Sequence, residues 1–383
     1  MFSKQSRRVL IRYVSVVLGV PLLGMLSTPR VTLGANLKDL IAKAKEEGAL
    51  NATTTTGFGL KLNQQLAEAF KKRFGLNIKV TLTPIASPQN FPRAAALIRA
   101  AAVPTYDAME GPALSIMGLQ GMGGIEQIPD WKNLLPEINP LVRSGRVKPE
   151  RLTSDPLNGF AVAYLVRVKS LLYNPGRISK DQLPKTHADL TDPKYKDIWT
   201  HPPWTSHWDI GPLVFPELGI EKWLEIVRKA GKNAGAVLAE SAGVQRVLLG
   251  EFAFAPANVD YYFLFKAKDP KAPLDITFFK DYNNVNTALY VVRKGARHPA
   301  AGALFALWMT TPEAASIHQP ETFANQTWGE SELDKRARQL MEESGANFVD
   351  NMSGGKTLEF LRWMETEEGR KYDQALGKAI RGQ

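Results

Sequence analysis

The chain has 383 residues, a length that predicts two or three compact domains at roughly 100–200 residues each and excludes a single small module. Hydrophobic residues make up 44% and charged residues 22%, close to the about 45–50% and about 25% of globular proteins, which excludes wholesale disorder and a fibrous repeat. The formal net charge is +10, but Lys4, Arg7, Arg8, Arg12 and Arg30 precede residue 36 with no acidic residue among them, so the body carries about +5 and is no nucleic-acid footprint.

Residues 1–35 have a basic start, an apolar stretch from Tyr13 to Leu26 and a small-residue end at Gly34 and Ala35, the layout of a secretory signal cleaved near Ala35. The apolar stretch, broken by Gly19, Pro21 and Gly24, falls short of the about 20 residues that span a bilayer. Ser6-Arg7-Arg8-Val9-Leu10-Ile11 is similar to a twin-arginine export signal, with ordinary export of the unfolded chain as the other reading. Cysteine is absent, which excludes disulfides, thiolate metal sites, a cysteine nucleophile and lipid attachment through cysteine. The expectation is a protein exported to the periplasm.

In chain order, Asn36 sits at a helix N-cap, and Leu37, Leu40, Ile41 and Ala44 follow at helical spacing before Gly48 stops the pattern. Ala49–Thr53 reads as a strand, residues 60–74 as a helix with Leu62, Leu66, Phe70 and Phe74 on one face, and Ile78, Val80 and Leu82 as a second strand. Pro92 is expected to open a helix through about Ala101, before a short apolar piece at Ala108–Glu110. Strands alternating with helices imply a parallel sheet covered on both faces.

The alternation repeats further on. Ala161–Tyr173 is strand-like, Thr186 with Asp189 caps a helix start, Glu221–Lys229 and Ser241–Leu249 are helical, and Phe252–Ala257 is a strand. Thr287–Arg293 reads as one more strand, a helix follows Pro299, and residues 331–383 read as helical packing. The predicted class is α/β with two lobes.

Motifs for chemistry are sparse. Gly355-Lys356-Thr357 lacks the leading glycine of a phosphate-binding loop, because position 350 is Asp350, and Gly121-Met122-Gly123-Gly124 lacks the third glycine of a dinucleotide fingerprint. The five histidines, His187, His201, His207, His298 and His318, have no helical metal spacing. No catalytic residue is nominated, and a binder is favoured over an enzyme.

The segments Leu40–Gly48, Phe70–Gly75, Leu171–Pro175, Leu183–Thr186, Asp189–Pro193, Gly250-Glu251, Lys294–Phe305 and Thr311–Glu313, taken in order, resemble the bacterial extracellular solute-binding proteins of ABC importers. The likeness is to the branch that includes ferric-iron-binding proteins and relatives for polyamines, thiamine and aminoalkylphosphonates. It implies a type II periplasmic-binding fold, two α/β lobes joined by crossing strands, with solute held in the cleft and the lobes closing over it. The expected division is residues 36–160 with 284–383 as lobe 1 and 161–283 as lobe 2.

Ligands of open parallel sheets collect beyond the carboxyl ends of strands, which points to three loops. In Thr53–Phe58, the hydroxyls of Thr55 and Thr56 with Phe58 either hold an anion or form a capping loop. In Pro203–Trp208, Thr205 or Ser206 is expected to cap a helix facing the cleft, beside His207. There Trp199, Trp204 and Trp208 either line the cleft for an apolar, aromatic or cationic solute or belong to the core. The third loop holds Asn258, Tyr261 and Tyr262. The paired tyrosines match positions that bind iron as phenolates in the ferric-binding relatives, with Glu110 as a candidate carboxylate.

The leading expectation is a non-enzymatic periplasmic receptor, monomeric and without cofactor, that gives a small solute or ion to the transmembrane subunits of an ABC permease. Ferric iron carried as transported ligand by Tyr261 and Tyr262 is an alternative within it. A secreted two-lobed hydrolase or lyase and a sensor subunit are the alternatives outside it.

Overall fold

The computed structural model describes residues 36–153, 157–352 and 354–383; the expected signal segment and its cleavage site lie outside them. Helix α1 (Leu37–Glu47) begins as predicted, with the Asn36 side chain accepting the Asp39 N–H at 2.9 Å. Gly48, at φ 70°, closes it in the left-handed conformation that glycine adopts without strain. Then β1 (Ala49–Thr54), α2 (Leu60–Phe74), β2 (Lys79–Pro84), α3 (Ser87–Arg99) and β3 (Ala108–Pro112) complete the alternation, and β1 pairs in parallel with β2 and β3. The start expected at Pro92 is corrected: α3 begins at Ser87. Pro88 fits the first turn, and Pro92 lies inside the helix one turn later, where it costs only the bond to the Pro88 carbonyl.

After α4 (Ala113–Gly121), β4 (Ile125–Glu126), α5 (Trp131–Ile138) and α6 (Pro140–Arg143), the chain enters β5 (Ala161–Tyr173), with the bounds predicted from its apolar run. The first half of β5 pairs antiparallel with β10 (Asn283–Arg293), and residues from Lys169 onward pair with β8 (Phe254–Asn258) and β9 (Asp275–Thr277). β10 in turn pairs with β3, so the order is β2-β1-β3-β10-β5-β8. One continuous strand therefore ties the two halves of the sheet.

Between β5 and β10 the chain adds β6 (Thr200–His201), α7 (Gly211–Val214), α8 (Gly219–Asn233), β7 (Ala236–Val237), α9 (Glu240–Leu248) and α10 (Val259–Lys268). The helix start expected at Thr186 is only a short 3-10 turn, Ala188–Thr191. There the Asp189 carboxylate accepts the Lys185 and Thr186 N–H groups at 2.8 and 2.9 Å, and Pro193 prevents extension.

After β10 come α11 (Pro299–Met309), α12 (Pro312–Thr322), α13 (Glu332–Ser344), β11 (Phe348–Asp350), α14 (Gly355–Met364) and α15 (Glu367–Ala379). Every residue of α11 is buried, as an all-round apolar helix requires, and it forms the centre of one core. A second core surrounds Trp199, Trp208, Trp223 and Tyr282. Tyr372, Leu376 and Ala379 of α15 belong to this second core, while Met352 and Leu361 belong to the first. Gly231 permits that approach, because a Cβ there would stand 2.7 Å from the Ala379 carbonyl. Among the described residues no helix is long and apolar enough to cross a membrane.

Candidate functional site: a charged cluster at the crossing strand

The sequence of β5 is apolar except at Arg167, Lys169 and Ser170. Cations in a strand buried on both faces need partners, because an unpaired buried charge costs several kcal/mol. Arg167 finds them in two separate segments. Its Nη2 donates to Thr55 Oγ1 at 3.1 Å, in the loop after β1, and its Nη1 donates to Asp260 Oδ2 at 3.3 Å, in the first turn of α10. The Arg167 side chain keeps 30% of its surface exposed while that of Asp260 keeps 8%.

Lys169 lies two residues on. Its Nζ donates to Glu240 Oε1 at 2.8 Å, at the start of α9. The same carboxylate receives His207 Nε2 at 2.9 Å and Asn258 Nδ2 at 2.5 Å. Burial alone pushes Glu240 up, but the Lys169 ammonium and the His207 contact outweigh it and hold the carboxyl well below the usual range. Burial and the neighbouring Lys169 pull His207 down to about 4, so it sits neutral with its proton on Nε2. Asp260 is pushed up to about 6 by burial, against the opposing pull of Arg167. Its Oδ1 and the Oδ1 of Asn258 are buried without hydrogen-bond partners.

Of the residues singled out in the sequence, Thr55, His207, Asn258 and Tyr261 come together here. Tyr261 is pushed up to about 12 by burial and by the carboxylates of Glu240 and Asp260. Glu110 is buried: its Oε2 accepts the Tyr164 hydroxyl at 3.1 Å, and burial pushes it up to about 7 in spite of Arg167.

The other candidates part from this cluster. Thr56 is exposed on the same loop. Phe58 is fully buried, stacked on His318 at 5.2 Å, because its ring fills the core beneath the loop. Thr205–His207 form only a three-residue 3-10 turn with no side-chain cap, so the expected cap is corrected. Thr205 Oγ1 donates to Asp373 of α15 at 2.9 Å, and the Ser206 carbonyl accepts Asn284 Nδ2 at 2.7 Å. Trp199 and Trp208 are core residues, and Trp204 is 43% exposed. Tyr262 diverges from Tyr261, as neighbours on a helix must, and has Asp275 and Arg336 as its charged surroundings.

Sequence reasoning missed Arg167, Lys169, Glu240 and Asp260. The signal was present in two cations, at alternate positions of an otherwise apolar strand. Among the described residues, no group of three or more His, Asp or Glu side chains could hold a metal ion.

Comparison with known proteins bears on the family and the fold. No curated protein matches the chain. Iron-bound HitA from Pseudomonas aeruginosa has a similar fold at 18% identity and a TM-score of 0.65, covering 86% of this chain and 99% of its own. A ferric binding protein from Campylobacter jejuni superposes at 16% identity with a TM-score of 0.63, covering 85% and 99% of the two chains. The substrate binding protein of an ABC transporter from Agrobacterium tumefaciens does so at 16% identity and 0.59, covering 87% and 96%. These likenesses establish the two-lobed α/β fold of periplasmic binding proteins. The family model for bacterial extracellular solute-binding proteins matches residues 65–318, a span that includes Arg167, Lys169, Glu240 and Asp260, and the chain belongs to that solute-binding family.

Proposed function

We propose that this solute-binding protein works in the periplasm, captures a small solute between its lobes at Arg167, Thr55, Asp260 and Tyr261, and delivers it as a monomer to an ABC permease. In this reading the lobes meet along β5 and β10, with α15 carried by the second lobe. The observation that carries it is the bridge formed by Arg167 on the crossing strand to Thr55 on one side and Asp260 on the other. A solute that takes over these groups makes its strongest contacts only when both sides are close, which is the differential affinity that drives closure.

The protein binds without turnover in this account, a reading supported by its place among the extracellular solute-binding proteins. The test is incubation with a low-mass metabolite extract, gel filtration and mass analysis of what stays bound. One compound retained in stoichiometric amount and recovered unchanged supports capture; recovery in altered form supports the hydrolase or lyase alternative. Ferric iron remains the second reading, favoured by the iron-bound relative and by the place of Tyr261 beside two carboxylates. The divergence of Tyr262 weighs against a paired-phenolate site.

A further inference from the structure

The chain after α12 is fastened alternately to the two halves of the molecule. It starts on the first core: the Asn325 carbonyl accepts the Val166 N–H at 2.8 Å, and Gln326 Nε2 donates to the Tyr164 carbonyl at 2.6 Å. Beyond α13 it reaches the strand end beside Tyr282 of the second core. There the Asn347 carbonyl accepts the Asn283 N–H at 2.9 Å, and Asn347 Nδ2 donates to the Asp281 carbonyl at 3.0 Å.

β11 then pairs with Asn283–Val285 of β10, and its last residue, Asp350, forms a 2.9 Å ion pair with Arg151, which precedes β5. α14 packs against both α4 and α7, with Leu361 in the first core and Phe360 and Met364 in the second. Its C-cap, Glu365, meets α4 at a glycine, where a Cβ on Gly118 would stand 3.1 Å from Glu365 Oε2. The same stretch reaches the Arg167 cluster. Asn351 Oδ1 accepts the Thr287 N–H at 3.1 Å, its Nδ2 lies 3.5 Å from Asn286 Oδ1, and Asn286 stands opposite Arg167 in the β10–β5 register.

Two lobes joined only by β5 and β10 would turn about those strands, and contacts made away from that axis must break before they do. A partly exposed ion pair such as Arg151–Asp350 resists little by itself. Drawing Leu361 out of a packed core resists much more.

We propose that β11 and α14 form a strap that holds the lobes at a set separation and limits their opening. This rests on the reading of β5 and β10 as the hinge, and not on which solute is captured. Leu361 and the Gly118–Glu365 contact clasp the first lobe. α15 anchors the strap on the second, where the Tyr372 hydroxyl donates to the Asp209 carbonyl at 2.9 Å.

The chain has no cysteine of its own, so nitroxide labels can be placed in pairs on the full-length protein. Gln65→Cys with Gln245→Cys, at exposed positions of α2 and α9, reports the interlobe distance by pulsed electron paramagnetic resonance. Gln65→Cys with Asn133→Cys, on α2 and α5, is the control within the first lobe. The expected result is one narrow interlobe distance in the otherwise unaltered protein. Leu361→Ala and Gly118→Glu should each enlarge the share of longer distances about 10-fold, with the control pair unchanged. Gly118→Glu sets a second carboxylate against Glu365 without leaving a cavity, so it tests the clasp even where Leu361→Ala fails to fold. Arg151→Ala, at a side chain 35% exposed, releases only the ion pair and should give a smaller increase. Thermal unfolding identifies the folded variants.

An unaltered distance distribution in folded Gly118→Glu and Arg151→Ala proteins would overturn the strap and leave capture at Arg167 untouched. Equal broadening of both label pairs would also overturn it, by showing that the first lobe itself has loosened. Longer distances already dominant in the unaltered protein would show that nothing restrains the lobes. Failure of the capture reading is distinguished by the copurified mass, which these labels do not measure.

Discussion

The Lys169 ammonium lies 2.8 Å from the Glu240 carboxylate, with neither side chain more than 8% exposed. This contact ties the strand that crosses the molecule to the first turn of α9. Removing one partner leaves the other charged and buried, so Glu240→Ala is expected to cost about 3–5 kcal/mol in urea unfolding. Replacing both, as Lys169→Met with Glu240→Leu, should recover part of that loss. A single-variant loss under about 1 kcal/mol, the weight of an exposed pair, would contradict this account.

His318 stacks on Phe58 with both ring nitrogens buried and unpartnered. Burial pulls it from 6.5 down to about 3, so between those values the unfolded chain binds the proton and the folded protein does not. Stability contributed by this residue therefore rises with pH through that window and is lost as pH falls through it. His318→Phe keeps a ring in place and removes a buried polar group worth about 1–3 kcal/mol when unsatisfied. A higher Tm at neutral pH and a shallower loss of stability toward acid are expected in calorimetry; a lower Tm would show that the imidazole has a hidden partner.

These two cases show what could and could not be read in the sequence. The Asn36 cap, the bounds of β5 and the apolar helix after Pro299 were legible because each depends on local spacing. Phe58 was misplaced because a loop position beside candidate ligands gives no sign of which way a ring points. Thr205 was misplaced because its partner, Asp373, lies 168 residues away. Glu240 and Asp260 stayed hidden among 38 acidic residues until the fold brought them to Lys169 and Arg167.

Asp260 is pushed up to about 6 by burial, and only its ionised form offers Arg167 or a bound solute a charged partner. Affinity for a solute held at this carboxylate is thus expected to be full above that value and to weaken as pH falls below it. Titrations at pH 5 and pH 7.5 check this, with Asp260→Asn as the comparison. A pH response that survives in Asp260→Asn would assign it to another group.

Glu47 closes α1 and also reaches the start of α11, where its two oxygens accept the N–H groups of Ala300 and Ala301 at 2.9 and 2.8 Å. It therefore acts as a remote N-cap with a charge suited to the helix dipole. Glu47→Ala is expected to lose about 1–2 kcal/mol in urea unfolding without altering solute affinity. Weakened binding with unchanged stability would refute that role.

The central claim is that Arg167 holds the solute. Native mass spectrometry of the wild-type and Arg167→Ala proteins, purified in parallel from the same exporting host, tests it most directly. The account predicts a stoichiometric small-molecule adduct on the wild type and a bare, folded Arg167→Ala protein. An adduct retained in full by Arg167→Ala would place the capture site elsewhere and contradict it.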